Sequence, residues 1–198
     1  MKTRYLLAAM GLLVLTRCGT SEKAELPPKL YTIAQFMDIV QINGGSFSPD
    51  EKKIIINSKE SGIFNVYEID IATGEQKQLT HCADEAIFSQ SYFPNDDRII
   101  YSSDKGGNEI NHLYILNADG STKDIISDST AKASFGGWSY DKKFMYYVSN
   151  SRDKQFFDLY KVQVDDAGAE QGTLTYTMMY KNAEGLDPAS IYNDGRRS

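Results

Sequence analysis

Ser48-Pro49-Asp50-Glu51-Lys52-Lys53-Ile54-Ile55-Ile56-Asn57-Ser58 is a tight turn that feeds a short β-branched run and halts on a small polar residue. Proline pre-sets φ for the turn, the aspartate bonds backbone two residues on, and three isoleucines favour a pleated strand. The chain writes this phrase again as Phe93-Pro94-Asn95-Asp96-Asp97-Arg98-Ile99-Ile100-Tyr101-Ser102-Ser103. It writes it a third time as Ser139-Tyr140-Asp141-Lys142-Lys143-Phe144-Met145-Tyr146-Tyr147-Val148-Ser149. A fourth copy starts at Tyr192-Asn193-Asp194-Gly195-Arg196-Arg197, just before Ser198. The closing serines Ser58, Ser103 and Ser149 are spaced by 45 and then 46 residues. Self-similarity at about 40–45 residues is the period of one four-stranded propeller blade.

Each copy parses into four short strands. In the first, Gly45 to Phe47, Lys53 to Asn57, Asn65 to Asp70 and Gln76 to Thr80 are expected, with a turn at Ala72-Thr73-Gly74-Glu75 before the last. In the second they are Ile87 to Tyr92, Arg98 to Ser102, His112 to Asn117 and Thr122 to Ile126. In the third they are Ala133 to Trp138, Phe144 to Ser149 and Asp158 to Gln163, followed by a turn around Ala167-Gly168 and an outer strand ending at Met178-Met179-Tyr180. The expected fold is all-β: a partial β-propeller of about three antiparallel four-stranded blades plus the start of a fourth. The blades fall at roughly 44–80, 86–127, 133–181 and 189–198 of a propeller region spanning 41–198. A blade has two apolar faces and buries neither alone, so neighbours must cover both. Three blades lie below the usual four to eight of a closed ring, and the expectation is of a fragment with an open, adhesive last edge.

Ahead of the repeats, residues 1–18 have the parts of an export signal. Lys2 and Arg4 supply the positive start, and Leu6 to Leu15 is an apolar run too short to span a bilayer. Leu15-Thr16-Arg17-Cys18-Gly19 resembles the site at which a bacterial lipoprotein is cut and its cysteine acylated, which makes Cys18 the candidate lipidation site. Arg17 departs from that pattern, which calls for a small residue, and ordinary cleavage a residue or two away stays open. Residues 19–40 read as a tether through Pro27-Pro28, then a segment in which Thr32 can cap a helical turn carrying Ile33, Phe36 and Met37. The expected location is the periplasm or cell envelope.

Composition sets limits on function. The 198 residues are 41% hydrophobic and 24% charged, which is ordinary for a folded chain. The net charge is -6 and no basic stripe is interleaved with aromatics, so nucleic acid is not an expected partner. Two cysteines make no disulfide framework, and Cys82 reads as a lone thiol beside a loop.

The Ser-Pro-Asp-x-Lys-Lys turn, the Asn65-Val66-Tyr67-Glu68-Ile69-Asp70 strand and the Thr73-Gly74-Glu75 turn resemble the TolB-type, WD-repeat-like blade. Longer segments resemble the N-terminal propeller of exported prolyl oligopeptidase-family serine peptidases, of the dipeptidyl aminopeptidase and acylaminoacyl-peptidase type. These are Tyr31 to Met37, Gly62 to Tyr67, Ser91 to Ile99 and Arg152 to Tyr160. That resemblance implies a non-catalytic, substrate-gating propeller whose Ser, Asp, His triad sits in a separate α/β-hydrolase domain outside this chain. The partners it implies are a peptide substrate and that hydrolase domain. The alternative is a TolB-like module that works by contact with envelope proteins and has no enzymatic activity. Any membrane contact would be through the lipid at Cys18.

Within the chain no catalytic, cofactor-binding or metal site is expected. Gly137-Trp138-Ser139-Tyr140-Asp141 imitates a nucleophile elbow, but Asp141 stands where the crowded turn demands glycine, and a strand follows instead of a helix. His112 occupies the place of Asn65 and Asp158 and reads as a strand-edge hydrogen-bonding residue. His81, Cys82 and Asp84 lack a spaced partner pair for a metal. Asp96-Asp97 and Asp165-Asp166 read as turn formers.

Overall fold

A computed structural model describes residues 28–163 and 174–185. The leader, Cys18, the Ala167-Gly168 turn, Asp165-Asp166 and the fourth copy lie outside the described residues. The chain divides into two units, one up to Asp38 and one from Ile39 onward. In the first, α1 (Ile33–Met37) is a single capped turn. The Gln35 backbone N–H donates to Thr32 Oγ1 and the Thr32 N–H donates to Gln35 Oε1, both at 3.1 Å, the reciprocal pair of a capping box.

The second unit is all-β. Its first sheet runs β1 (Ile42–Phe47), β2 (Lys53–Ser58), β3 (Asn65–Asp70) and β4 (Gln76–Gln78) in sequence order, every pair antiparallel. The second runs β5 (Ile87–Tyr92), β6 (Ile99–Ser103), β7 (His112–Leu116) and β8 (Thr122–Asp124). The third runs β9 (Ala133–Trp138), β10 (Phe144–Asp153), β11 (Phe156–Gln163) and β12 (Tyr176–Tyr180). Three four-stranded meanders at one sequence period make a partial β-propeller, as the repeat requires.

Strand alternation explains how the sheets stack. In the second blade Ile99, Tyr101, Tyr114 and Leu116 point one way and join Ile55 and Val66 of the first blade in one core cluster. Ile100, Leu113 and Ile115 point the other way, into a second cluster with Ala133, Met145, Tyr147 and Val162 of the third blade. Each face of the second blade is thus buried against a neighbouring blade. Ile55, Ile100 and Leu113 are fully buried, and burial of one such side chain contributes roughly 1.5–3 kcal/mol.

Polar bonds tie neighbouring blades in register. Tyr92 N–H donates to Ser46 Oγ at 3.1 Å, and Trp138 Nε1 donates to Ser91 Oγ at 2.9 Å. Ser46 and Ser91 are equivalent positions, opposite Ile55 and Ile100 on their partner strands. β1 opens at Ile42 ahead of the expected Gly45, β11 opens at Phe156 ahead of the expected Asp158, and β10 runs on past the expected Ser149 to Asp153. Only Lys154 and Gln155 separate it from β11, so the two form one long hairpin.

Candidate functional site

The serine turns come first, because one of them imitates a nucleophile. Ser48 Oγ donates to Asp50 Oδ1 at 2.7 Å and accepts the Lys53 N–H at 3.0 Å. Ser139 Oγ donates to Asp141 Oδ1 at 2.7 Å and accepts the Phe144 N–H at 2.9 Å. The two sites are copies. The Ser48 hydroxyl and the Lys52 N–H hold the Asp50 carboxyl down at about 2, and Asp141 is lowered by the same arrangement with Ser139 and Lys143. Ser139 leads into β10, so its hydroxyl closes a blade turn and sits on no strand-to-helix elbow. In the second blade Phe93 replaces the serine, and Arg98 takes over the turn. Its Nε and Nη2 clasp Asp96 at 2.8 and 2.7 Å while the guanidinium lies over the Phe93 ring.

A second recurrent position is the first residue facing each closing serine. Asn65 pairs with Ser58, His112 with Ser103 and Asp158 with Ser149, and all three are buried. Asn65 Oδ1 accepts from Thr80 Oγ1 and the Cys82 N–H, and its amide donates to the Cys82 carbonyl. His112 Nδ1 lies 2.7 Å from Asp124 Oδ2. Asp158 accepts from Arg152 Nε and Nη2 at 2.6 and 2.9 Å and from the Asn182 N–H at 2.8 Å. Burial opposes the Asp158 charge, but the Arg152 guanidinium and that N–H outweigh it and hold its pKa below the ordinary value. All three side chains do one job, fastening the outer strand of their own blade. His112 is the strand-edge residue that its place in the repeat indicates. Among the described residues no group of three His, Cys, Asp or Glu side chains is placed to hold a metal ion.

The candidate site is the cavity of about 620 Å³ along the inner strands, lined by Asn43, Gly44, Asn57, Ser89, Gln90 and Ser134 among others. Among the described residues its lining carries no charged side chain. Each inner strand bulges within it, between Asn43 and Ser46, between Ser89 and Ser91, and opposite Tyr146 and Tyr147. A bulge frees a residue from the ladder and turns backbone groups outward. Asn57 organises the wall. Its Oδ1 accepts from the Ser89 N–H and Oγ, both at 2.7 Å, and its amide donates to Asn43 Oδ1 at 3.1 Å. Such a wall can bind by amide and hydroxyl hydrogen bonds. Asn57 was not singled out from sequence; the signal was a lone asparagine closing the Ile54-Ile55-Ile56 run, and in the structure it pairs with Asn43 beside Gly44. His81 lies elsewhere, lining a 450 Å³ cleft between the first two blades with Lys53, Glu68 and Asp97.

Residues 16–157 match the family described as the dipeptidyl peptidase IV (DPP IV) N-terminal region. The chain belongs to this family. The matched span of this DPP IV N-terminal-type chain covers the first two blades and reaches into the third. Among solved structures it is similar to TolB from Acinetobacter baumannii, with a TM-score of 0.56 at 17% identity over 79% of this chain and 36% of that one. An oligogalacturonate lyase in complex with manganese gives 0.55 at 15% identity over 79% and 46%. A prolyl endopeptidase gives 0.53 at 11% identity over 71% and 22%. At those identities the shared property is the fold. The chain spans 36% of TolB and 22% of the prolyl endopeptidase.

Proposed function

We propose that this chain is the non-catalytic, substrate-gating propeller portion of an exported serine peptidase of the prolyl oligopeptidase family. The observation that carries the reading is the family match over residues 16–157, which takes in the blades and the inner-strand cavity. A wall of asparagine, glutamine and serine with Phe88 and Phe135, uncharged among the described residues, suits a surface that sorts peptides by size and extension rather than by charge. The turn geometry of Ser139 supports assigning bond cleavage to a separate domain. Export rests on the Lys2, Arg4 and Leu6 to Leu15 pattern, with Cys18 as the candidate anchor.

The test uses the native gene product. An antibody raised against residues 42–163 captures the blade-bearing species from source cells, and a fluorophosphonate probe then reports on a reactive serine. Labelling of that species, with none of the purified 198-residue chain, is the expected result. A captured species that stays unlabelled and fractionates with envelope proteins supports a TolB-like binding module instead.

A further inference from the structure

Asn43-Gly44 is the one asparagine-glycine pair in the 198 residues, and the fold sets it in the inner-strand wall. An asparagine followed by glycine is prone to cyclise, because no Cβ shields the next backbone nitrogen. Packing fixes that glycine here. Gly44 sits at φ +72, and a Cβ on it would lie 2.5 Å from Asn57 Nδ2. Asn43 in turn supplies the acceptor for the Asn57 amide.

The orientation of the Asn43 amide follows from its neighbours. The Ser89 N–H can only donate, so Asn57 must turn its Oδ1 to it, at 2.7 Å, and its NH2 away. That NH2 donates at 3.1 Å, so Asn43 must present its oxygen. The Asn43 NH2 is left with no hydrogen bond among the described residues. Its side-chain carbonyl is thus polarised by a donor on the oxygen, while the nitrogen is unrestrained. The backbone assists. Asn43 is matched to Asn57 and Ser46 to Ile55, so Gly44 and Gly45 share Ile56 in a bulge outside the regular ladder. Asn43 and Gly44 are both exposed, and water reaches them. Asn57-Ser58 and Asn150-Ser151 make the contrast: both asparagines are buried, with both ends of each amide bonded.

We propose that Asn43 is a self-modification site, which the wall converts to aspartate and isoaspartate so that the cavity acquires a negative charge as the chain ages. The Gly44 nitrogen attacks Asn43 Cγ, the new N–Cγ bond closes a cyclic imide, and Nδ2 leaves as ammonia with the Gly44 amide proton. Asn57 Nδ2 stabilises the oxyanion that forms on Oδ1. Water then opens the imide at either carbonyl. Opening at the main-chain carbon leaves isoaspartate, with the main chain one methylene longer; breaking the new N–Cγ bond leaves aspartate. One water is consumed and one ammonia released, and nothing is oxidised or reduced. Either product places a carboxylate in a lining that, among the described residues, carries no charge. Aspartate still offers the Asn57 amide an acceptor, so the wall keeps its form while its preference moves toward cationic ligands. The inference rests on the wall geometry and stands apart from the peptidase reading.

The test is peptide mapping by mass spectrometry of the purified 198-residue chain after incubation in neutral buffer, native and in urea. Conversion of Asn43 should be at least as fast in the native chain as in urea, while native Asn57 and Asn150 stay intact. Asn57→Ser should slow native conversion about tenfold, the low end for losing one hydrogen bond to a developing charge, and leave the rate in urea unchanged. Circular dichroism checks that the variant is folded; if it is not, the wild-type comparison of native with urea decides alone. Slower conversion in the native chain than in urea overturns the proposal, since the fold then protects Asn43. So does a folded Asn57→Ser chain that converts as fast as wild type or faster, because the bond then restrains Asn43 instead of activating it. None of these results bears on the fluorophosphonate experiment.

Discussion

Gly44→Ala should be the most informative single substitution in the inner-strand wall, because Gly74→Ala supplies its control. Both glycines sit at φ +72, a region that costs a non-glycine residue roughly 1–2 kcal/mol. Their surroundings differ. A Cβ on Gly74 would meet nothing within 4 Å, whereas one on Gly44 would lie 2.5 Å from Asn57 Nδ2. Relief there requires Asn57 to move, and Asn57 holds Asn43 on one side and the buried Ser89 N–H and hydroxyl on the other. Loss of the Asn43 bond costs about 1 kcal/mol, and stranding the Ser89 N–H costs about 1–3 kcal/mol more. Gly74→Ala should therefore destabilise by about 1–2 kcal/mol and Gly44→Ala by about 3–6 kcal/mol. Urea unfolding followed by circular dichroism and by Trp138 fluorescence measures both. The decisive arm is a double-mutant cycle: on an Asn57→Ser background, Gly44→Ala should fall to the cost of Gly74→Ala, because the clash is gone. Equal costs for the two glycine variants on the native background, or a cost for Gly44→Ala that persists on the Asn57→Ser background, would refute the assigned role of Asn57.

Asp158→Ala should cost about 3 kcal/mol in the same assay, the low end for breaking a buried pair, since Arg152 keeps 26% of its side chain exposed. Because the Asp158 pKa is lowered on folding, its contribution is complete above the unfolded value near ~3.9 and is lost as pH falls through the folded value. The wild-type minus Asp158→Ala stability difference should therefore shrink on acidification below pH ~4, as read by urea midpoints at stepped pH. Ser139→Ala and Ser48→Ala should each cost about 1–2 kcal/mol, as twin blade turns losing the same pair of bonds. Unequal effects, with Ser139→Ala altering peptide turnover by the native product, would point back to a catalytic serine. Ile100→Ala should cost about 2–5 kcal/mol by opening a cavity between the second and third blades, with fluorescence and circular dichroism still lost together.

The fold was legible because its information is local and repeated. The alternation in Asn65-Val66-Tyr67-Glu68-Ile69-Asp70 marks β3 to the residue, and Ile87–Tyr92 and Ala133–Trp138 are equally plain. Ser139 stands in the third copy of the phrase that opens with Ser48, and the two hydroxyls make matching bonds to Asp141 and Asp50.

Where the outer strands of the first two blades end early, a side chain has replaced backbone in the ladder, and no propensity encodes that. The outer strand of the first blade was expected to reach Thr80, but β4 ends at Gln78. Beyond it Leu79 still donates to the Val66 carbonyl, while the Val66 N–H is taken by Thr80 Oγ1, itself held by Asn65. In the second blade β8 stops at Asp124 instead of Ile126 on the same principle. Asp124 turns one oxygen to His112 and the other to the Ile126 N–H. The buried polar residue facing each closing serine thus ties down the chain at or just past the end of the outer strand. It does so through partners 12 to 24 residues away whose identity differs in every blade. Asn57 escaped notice for the same reason, since its partner Ser89 belongs to the next blade. A repeat announces the positions that all copies share. The chemistry particular to this chain sits where the copies differ, in Asn57 and His112, and three-dimensional neighbours are needed to give those differences meaning.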